Sequence, residues 1–141
     1  MSLTITVYGL PAPQGSKRHV GNGVMIESSK KVKPWREAVV AAAIEAMGGP
    51  AAQRISGPVE VRMAFTMPKP KSAPKSRRTW PQSKPDLSKL VRSTEDALTD
   101  AGAWEDDARV IRCVAMKMFP GEGTDSLPVP GVVVQIREVA A

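Results

Sequence analysis

Apolar and polar residues alternate in some stretches of the chain and recur at helical spacing in others, and this pattern predicts most of a fold. Leu3 to Tyr8 alternates and is rich in Thr, Val and Ile, the mark of a strand, and Pro11 and Pro13 end it. Pro34 suits the first turn of a helix running to about Met47. Trp35, Val39, Ala42, Ala43 and Ala46 give that helix one apolar face, and Gly48, Gly49 and Pro50 stop it. Val59 to Met67 alternates again, with Val59, Val61, Met63, Phe65 and Met67 on one face. Leu87, Leu90, Val91, Thr94, Ala97, Leu98 and Ala101 form the buried stripe of a second helix, with Asp86 as its N-cap and Gly102 just past its end. Val110 to Phe119 reads as a strand, and a loop rich in Gly and Pro leads to a last strand, Val132 to Val139.

The order strand, helix, strand, helix, strand, strand predicts an α/β (α+β) fold: a mixed sheet of about four strands with two main helices on one side. No internal repeat is visible. The length of 141 residues fits a single domain over 1–141 with a full hydrophobic core. Two polar connections interrupt the pattern, at about 14–33 and 68–85. The first carries Lys17, Arg18, Lys30 and Lys31, and its Gly21-Asn22-Gly23 tip predicts a small hairpin or flap. The second carries Lys69, Lys71, Lys75, Arg77, Arg78 and Lys84 with no acid, and its prolines exclude regular structure, so it reads as a mobile basic loop.

Composition sharpens this picture at three points. The net charge of +6 raises the expectation of a polyanionic partner. Aromatics are only 4%, so the core must be mostly aliphatic. Cys113, the one cysteine, excludes an intrachain disulfide, fits a reducing cytosol, and reads as a buried thiol in a strand. No apolar run is long enough to cross a membrane, and the N-terminus reads as a strand rather than a signal peptide.

The candidate chemistry lies between Asp86 and Val110. An acid opens the second helix and two adjacent acids, Asp106 and Asp107, follow its end, with the basic loop directly upstream. Carboxylates suit Mg²⁺, and lysines and arginines suit phosphates, so the stretch points to metal-dependent action on a phosphodiester. Convergence of Asp86 with the Asp106-Asp107 pair is the expectation that follows. Ser88, Arg92 and Glu95 share a polar face of the second helix, where Arg92 is either a phosphate clamp or one half of a surface pair with Asp96. His19, alone in a polar loop, reads as a surface residue. No phosphate-cradling glycine motif or nucleophile elbow is present. Trp104 reads as a packing anchor, and Trp80 as either a stacking platform for an unpaired base or a plug into the core.

Asp86-Leu87, Leu90, Asp96-Ala97-Leu98-Thr99, Ala101-Gly102, Trp104, Asp106-Asp107-Ala108 and Val110 resemble the pattern DLDNLxKxxxDALTxAGxWxDDAxV of the RusA family of Holliday-junction resolvases of phages and prophages. Pro11-Ala12-Pro13, Ser16-Lys17-Arg18 and Trp35-Arg36 look like the family's opening. The resemblance implies a homodimeric endonuclease of the cytoplasm, dependent on Mg²⁺ with Mn²⁺ as a substitute. Such an enzyme makes paired symmetric nicks in four-way DNA junctions and has no membrane association. By the same resemblance the catalytic acids fall on Asp86 and Asp107, and the catalytic lysine on Arg92. The helix acid two residues after the first falls on Ser88, and the neighbouring Asn on Lys89. A hydroxyl is a poorer Mg²⁺ ligand than a carboxylate, so Glu95, with Asp106 in reserve, is expected to supply the missing oxygen. Lys17, Arg18, Lys30, Lys31, Lys69, Lys71, Lys75, Arg77, Arg78, Lys84 and Lys89 are the expected DNA contacts. Two competing readings are a branched-DNA-binding protein that has lost its metal site through Ser88, and, ranked last, a ferredoxin-like RNA-binding domain, which would need exposed aromatics on a strand.

Overall fold

A mixed sheet in the order β1-β6-β4-β5 is built from β1 (Ser2–Tyr8), β4 (Val59–Thr66), β5 (Val110–Met118) and β6 (Gly131–Glu138). A separate antiparallel pair joins β2 (Lys17–His19) to β3 (Met25–Glu27), in keeping with the expected hairpin; its Gly21-Asn22-Gly23 tip lies outside the described residues. The computed structural model describes residues 2–14, 17–19, 25–27, 30–49 and 55–140, with the backbone alone for 17–19 and 25–27. Helices α1 (Val32–Met47) and α2 (Leu87–Ala101) pack against each other, α1 touching β1 and α2 touching β5. The architecture is the α+β sheet that the hydrophobic pattern predicts, with element ends within about two residues of expectation.

The register explains the core. Ile5 and Val7 of β1 pair with Val134 and Val132 of β6, which pair in turn with Met63 and Phe65 of β4, so one face of three strands is continuous apolar surface. Trp35, Val39 and Ala43 of α1 and Leu90, Ala97 and Leu98 of α2 close over it. Two buried polar contacts anchor α2. The Trp35 indole N–H donates to Thr94 Oγ1 at 3.2 Å, and Ser93 Oγ, fully buried, donates to the Ala12 carbonyl at 2.6 Å. That second bond ties the segment after β1 onto α2.

The opposite face of β4 is more covered than alternation predicts. Glu60, Ala64 and Thr66 are all buried. Arg62, Arg112 and Arg137 close around the Glu60 carboxylate, and the Arg137 hydrogen bond is the largest cause of a pKa below the ordinary value. At the other end the β5–β6 loop folds over, and the Leu127 N–H donates to Thr66 Oγ1 at 2.8 Å. Gly131 is required where that loop enters β6, because a Cβ there would stand 2.1 Å from the Val7 carbonyl oxygen.

Two expectations are corrected. Cys113 is exposed, not buried, because β5 is an edge strand whose Ile111, Val114 and Met116 are exposed as well. The basic loop at 68–85 has no regular structure, as expected, but it is held rather than loose. Glu122 receives Lys69 Nζ at 2.6 Å and the Thr79 N–H at 2.9 Å, and Lys117 Nζ donates to the carbonyls of Ser83 (3.0 Å) and Pro85 (2.9 Å).

Candidate active site

The chain from β4 to β5 makes one crossover. Since β4 and β5 are parallel, α2 must run back along them, so its two ends sit at opposite ends of the sheet. Asp86 occupies the N-cap position of α2 with extended backbone, as predicted, but its side chain makes no capping bond. The carboxylate is half-exposed, with Lys89 Nζ 3.6 Å away. It therefore faces outward at the helix start, next to the Pro85 carbonyl that Lys117 grips.

Asp107 stands at the other end. Gly102, left-handed with φ 82°, closes α2, and the chain turns through Trp104 into a 3-10 turn, Asp107–Arg109. Trp104 is wholly buried, and its indole N–H donates to Thr99 Oγ1 at 2.7 Å. The Thr99 hydroxyl donates in turn to Asp107 Oδ1. Asp106 accepts the Ala108 N–H at 2.8 Å, which caps the turn and engages the expected reserve ligand.

Asp86 and Asp107 do not converge within one chain. Thirteen residues separate Asp86 from Thr99, roughly 20 Å along a helix axis. The expectation overlooked that α2 spans the whole sheet between them. Glu95 is likewise roughly 10 Å beyond Ser88 along the axis, too far to replace it beside Asp86. Its neighbours are instead Asp107 and Asp96. Burial first, then the charge of Asp107 and then that of Asp96, push the Glu95 carboxyl above its ordinary pKa. Asp96 is also raised, mainly by burial and by Asp107, against a hydrogen bond from Gln14 that lowers it. Partial desolvation by the neighbouring strand and helix, and then the charge of Glu95, raise the thiol of the surface residue Cys113, which marks it as part of the same neighbourhood. No Arg92–Asp96 pair forms among the described residues. Asp96 accepts from Gln14, whose Oε1 receives Arg36 Nη1 at 3.2 Å, while Arg36 Nη2 reaches Asp100 at 2.6 Å. This network tying α1 to α2 had no signal in helical spacing, because its partners come from three separate segments.

Mg²⁺ needs oxygens converging at about 2.0–2.1 Å. Among the described residues no three acidic, imidazole or thiol groups are arranged to hold a metal ion. The Asp96 and Asp107 carboxyls meet within hydrogen-bond reach and Glu95 feels the charge of both, whereas Asp86 stands apart with Ser88 and Lys89. The expected ligand pair of Asp86 with Asp107 is therefore not assembled within one chain.

The basic residues divide by environment. Lys30, Lys31, Lys71, Lys75, Arg77, Arg78 and Lys84 are exposed, as is Arg92. Lys69 is engaged with Glu122, and Lys89 stands beside Asp86. Lys17 and Arg18 fall on β2, and their side chains lie outside the described residues. Three arginines that sequence reasoning did not single out, Arg62, Arg112 and Arg137, gather on the open face of the sheet. Their strand register was the missing signal.

A trough of about 690 Å³ is lined by Asp86 and Lys89. Lys31, Lys84 and Lys117 also line it, and Trp80 stands in its wall, half-exposed and so not a plug into the core. The family described as endodeoxyribonuclease RusA matches the chain over residues 9–137. No curated protein matches it.

Proposed function

The chain belongs to the endodeoxyribonuclease RusA family, and we propose that it acts in the cytoplasm as a homodimeric, Mg²⁺-dependent resolvase that makes paired, symmetric nicks in four-way DNA junctions. The observation that carries the reading is Asp86. Its carboxylate makes no capping bond, lines a trough together with four lysines, and adjoins the exposed cations of the 68–85 loop. Lys71, Lys75, Arg77 and Lys84 grip phosphates of the junction arms, and each neutralised phosphate steepens the salt dependence of binding.

The separation of Asp86 from Asp107 supports a dimer. Edge strand β5 has one side unpaired within the sheet and exposes Ile111, Val114 and Met116. An open, apolar edge calls for cover. Antiparallel pairing of β5 with a second copy is two-fold symmetric. It would carry the end of β5 beside Asp107 toward the end beside Lys117 and Asp86 on the other copy. Two equivalent sites would follow, each with Asp86 from one chain and Asp107 of the partner subunit, and Arg92 reaching the phosphate between them. Two symmetric sites suit two symmetric nicks.

The alternative is a catalytically weakened or inactive branched-DNA-binding protein, favoured by the hydroxyl of Ser88 where the family pattern has an acid. A cleavage assay on a synthetic four-way junction separates the two, run with Mg²⁺ and with chelator against linear duplex. Paired nicks in the junction with Mg²⁺ alone are expected. A retarded but uncut junction in both conditions would establish the binding protein instead.

A further inference from the structure

We propose that the trough beside Asp86 is a pocket for one unstacked nucleobase, with Trp80 as its stacking platform; the inference rests on the reading of this chain as a DNA-acting protein. Trp35 and Trp104 are 2% and 0% exposed, whereas Trp80 is 50% exposed. An exposed indole loses the burial that stabilises the other two, so a partner is what it lacks. The Arg78 guanidinium lies over the ring, 4.0 Å from its centroid, and Arg78 does not line the trough while Trp80 does. One side of the indole is thus already stacked and fixed, and the ring presents itself to the trough.

The rest of the pocket suits a flat aromatic ligand carrying a negative charge. Its walls are apolar, from Pro11, Met67, Pro70, Pro81 and Phe119, and its volume lies within the range of about 300–1,000 Å³ usual for small-molecule sites. Lysines 31, 84 and 89 line it. Apolar walls with ammonium groups match a nucleotide, whose base stacks and whose phosphate is anionic. Thr79 also lines the trough, and its Oγ1 is covered yet has no hydrogen-bond partner among the described residues, leaving polar capacity for a ligand edge after a small shift. The wall is held in advance. Glu122 fixes Thr79 next to Trp80, and Lys117 fixes Ser83 and Pro85 on its far side. Because Asp86 lines the same trough, a base seated on Trp80 would set its own phosphate beside that carboxylate. The pocket would then contribute to which nucleotide is cut, by the fit of the base rather than by its pairing.

The test is a fluorescence and anisotropy titration of the full chain with a fluorescein-labelled hexathymidylate, with retardation of a four-way junction measured in parallel. Since Trp80 is the exposed indole, the wild type is expected to show quenching that tracks oligonucleotide binding. Trp80→Ala should bind the oligonucleotide about ten-fold more weakly, and Trp80→Phe should retain most of the affinity without the quench. The junction should still be retarded by Trp80→Ala, because its phosphates are gripped elsewhere. Binding without quenching, or equal oligonucleotide affinity in Trp80→Ala, overturns the pocket while a retarded junction leaves the nuclease reading standing. Failure of the wild type to bind junction and oligonucleotide alike overturns both.

Discussion

Asp86 and Asp107 bracket α2, one at its N-cap and the other hydrogen-bonded to Thr99 near its C-terminus, roughly 20 Å apart along the axis. Each is the kind of carboxylate that phosphodiester hydrolysis requires, and within one chain neither can help the other. Under the dimer proposal both are members of one catalytic centre that two chains share.

If both acids serve one centre, Asp86→Asn and Asp107→Asn should each lower junction nicking by on the order of a hundred-fold or more, the scale seen when one electrostatic group of an active site is removed. Junction retardation should persist in both, since the amide keeps the size and the basic loops are untouched. Nicking by either variant at the wild-type rate would remove that residue from the chemistry.

Asp107 is aimed by a relay that starts in the core. The buried Trp104 indole donates to Thr99, and the Thr99 hydroxyl donates to Asp107. Thr99→Val removes both bonds and leaves the indole N–H unpaired, a cost of about 1–3 kcal/mol. The variant should melt several degrees lower and nick more slowly at temperatures where it is fully folded. Thermal unfolding together with a folded-state rate assay checks this, and an unchanged rate would limit Thr99 to stability.

The dimer reading predicts that Val114→Arg, at an exposed position in the middle of β5, leaves the fold intact and shifts the sedimentation mass from dimer to monomer. The monomeric variant should also lose nicking although it retains every catalytic side chain. A wild-type protein that sediments as a monomer at micromolar concentration would contradict the edge pairing.

The basic loop carries a pH dependence of known sign. The Lys69 hydrogen bond, and then the Thr79 N–H, hold Glu122 below its ordinary pKa. A depressed carboxylate stabilises the folded loop at every pH above its unfolded value, and that contribution fades as the pH falls through the lower, folded value. Loop anchoring should thus be complete at neutral pH and weaken only in acid. The Thr79 amide resonance should titrate with a midpoint below that of an ordinary glutamate; a midpoint at or above that value would contradict the anchor.

Much of this was legible in the residues. The alternation of Leu3–Tyr8 and Val59–Met67 and the stripe from Leu87 to Ala101 gave the sheet and α2, because burial on one face leaves a period that can be read. Asp86 and Asp107 were visible as candidates through their motif. Their distance has no such signature, since a periodic stripe reveals which face of a helix is buried and says nothing about which end a later residue returns to. Cys113 looked buried because VIRCVAMKM is as apolar as an interior strand, and nothing local reveals that β5 has a neighbour on one side only. The pinning of the basic loop by Glu122 and Lys117 was equally hidden, because those contacts span 32 to 53 positions of chain.

Subunit mixing tests the shared centre most directly. Asp86→Asn and Asp107→Asn are each inactive as homodimers on this account, but a mixed dimer keeps one site in which both acids are intact. Co-refolding the two variants should restore Mg²⁺-dependent single-strand nicking of a four-way junction, with paired nicks remaining rare. A mixture as inactive as its parents, with mixed dimers isolated through different affinity tags on the two variants, would mean that Asp86 and Asp107 do not meet across the two chains.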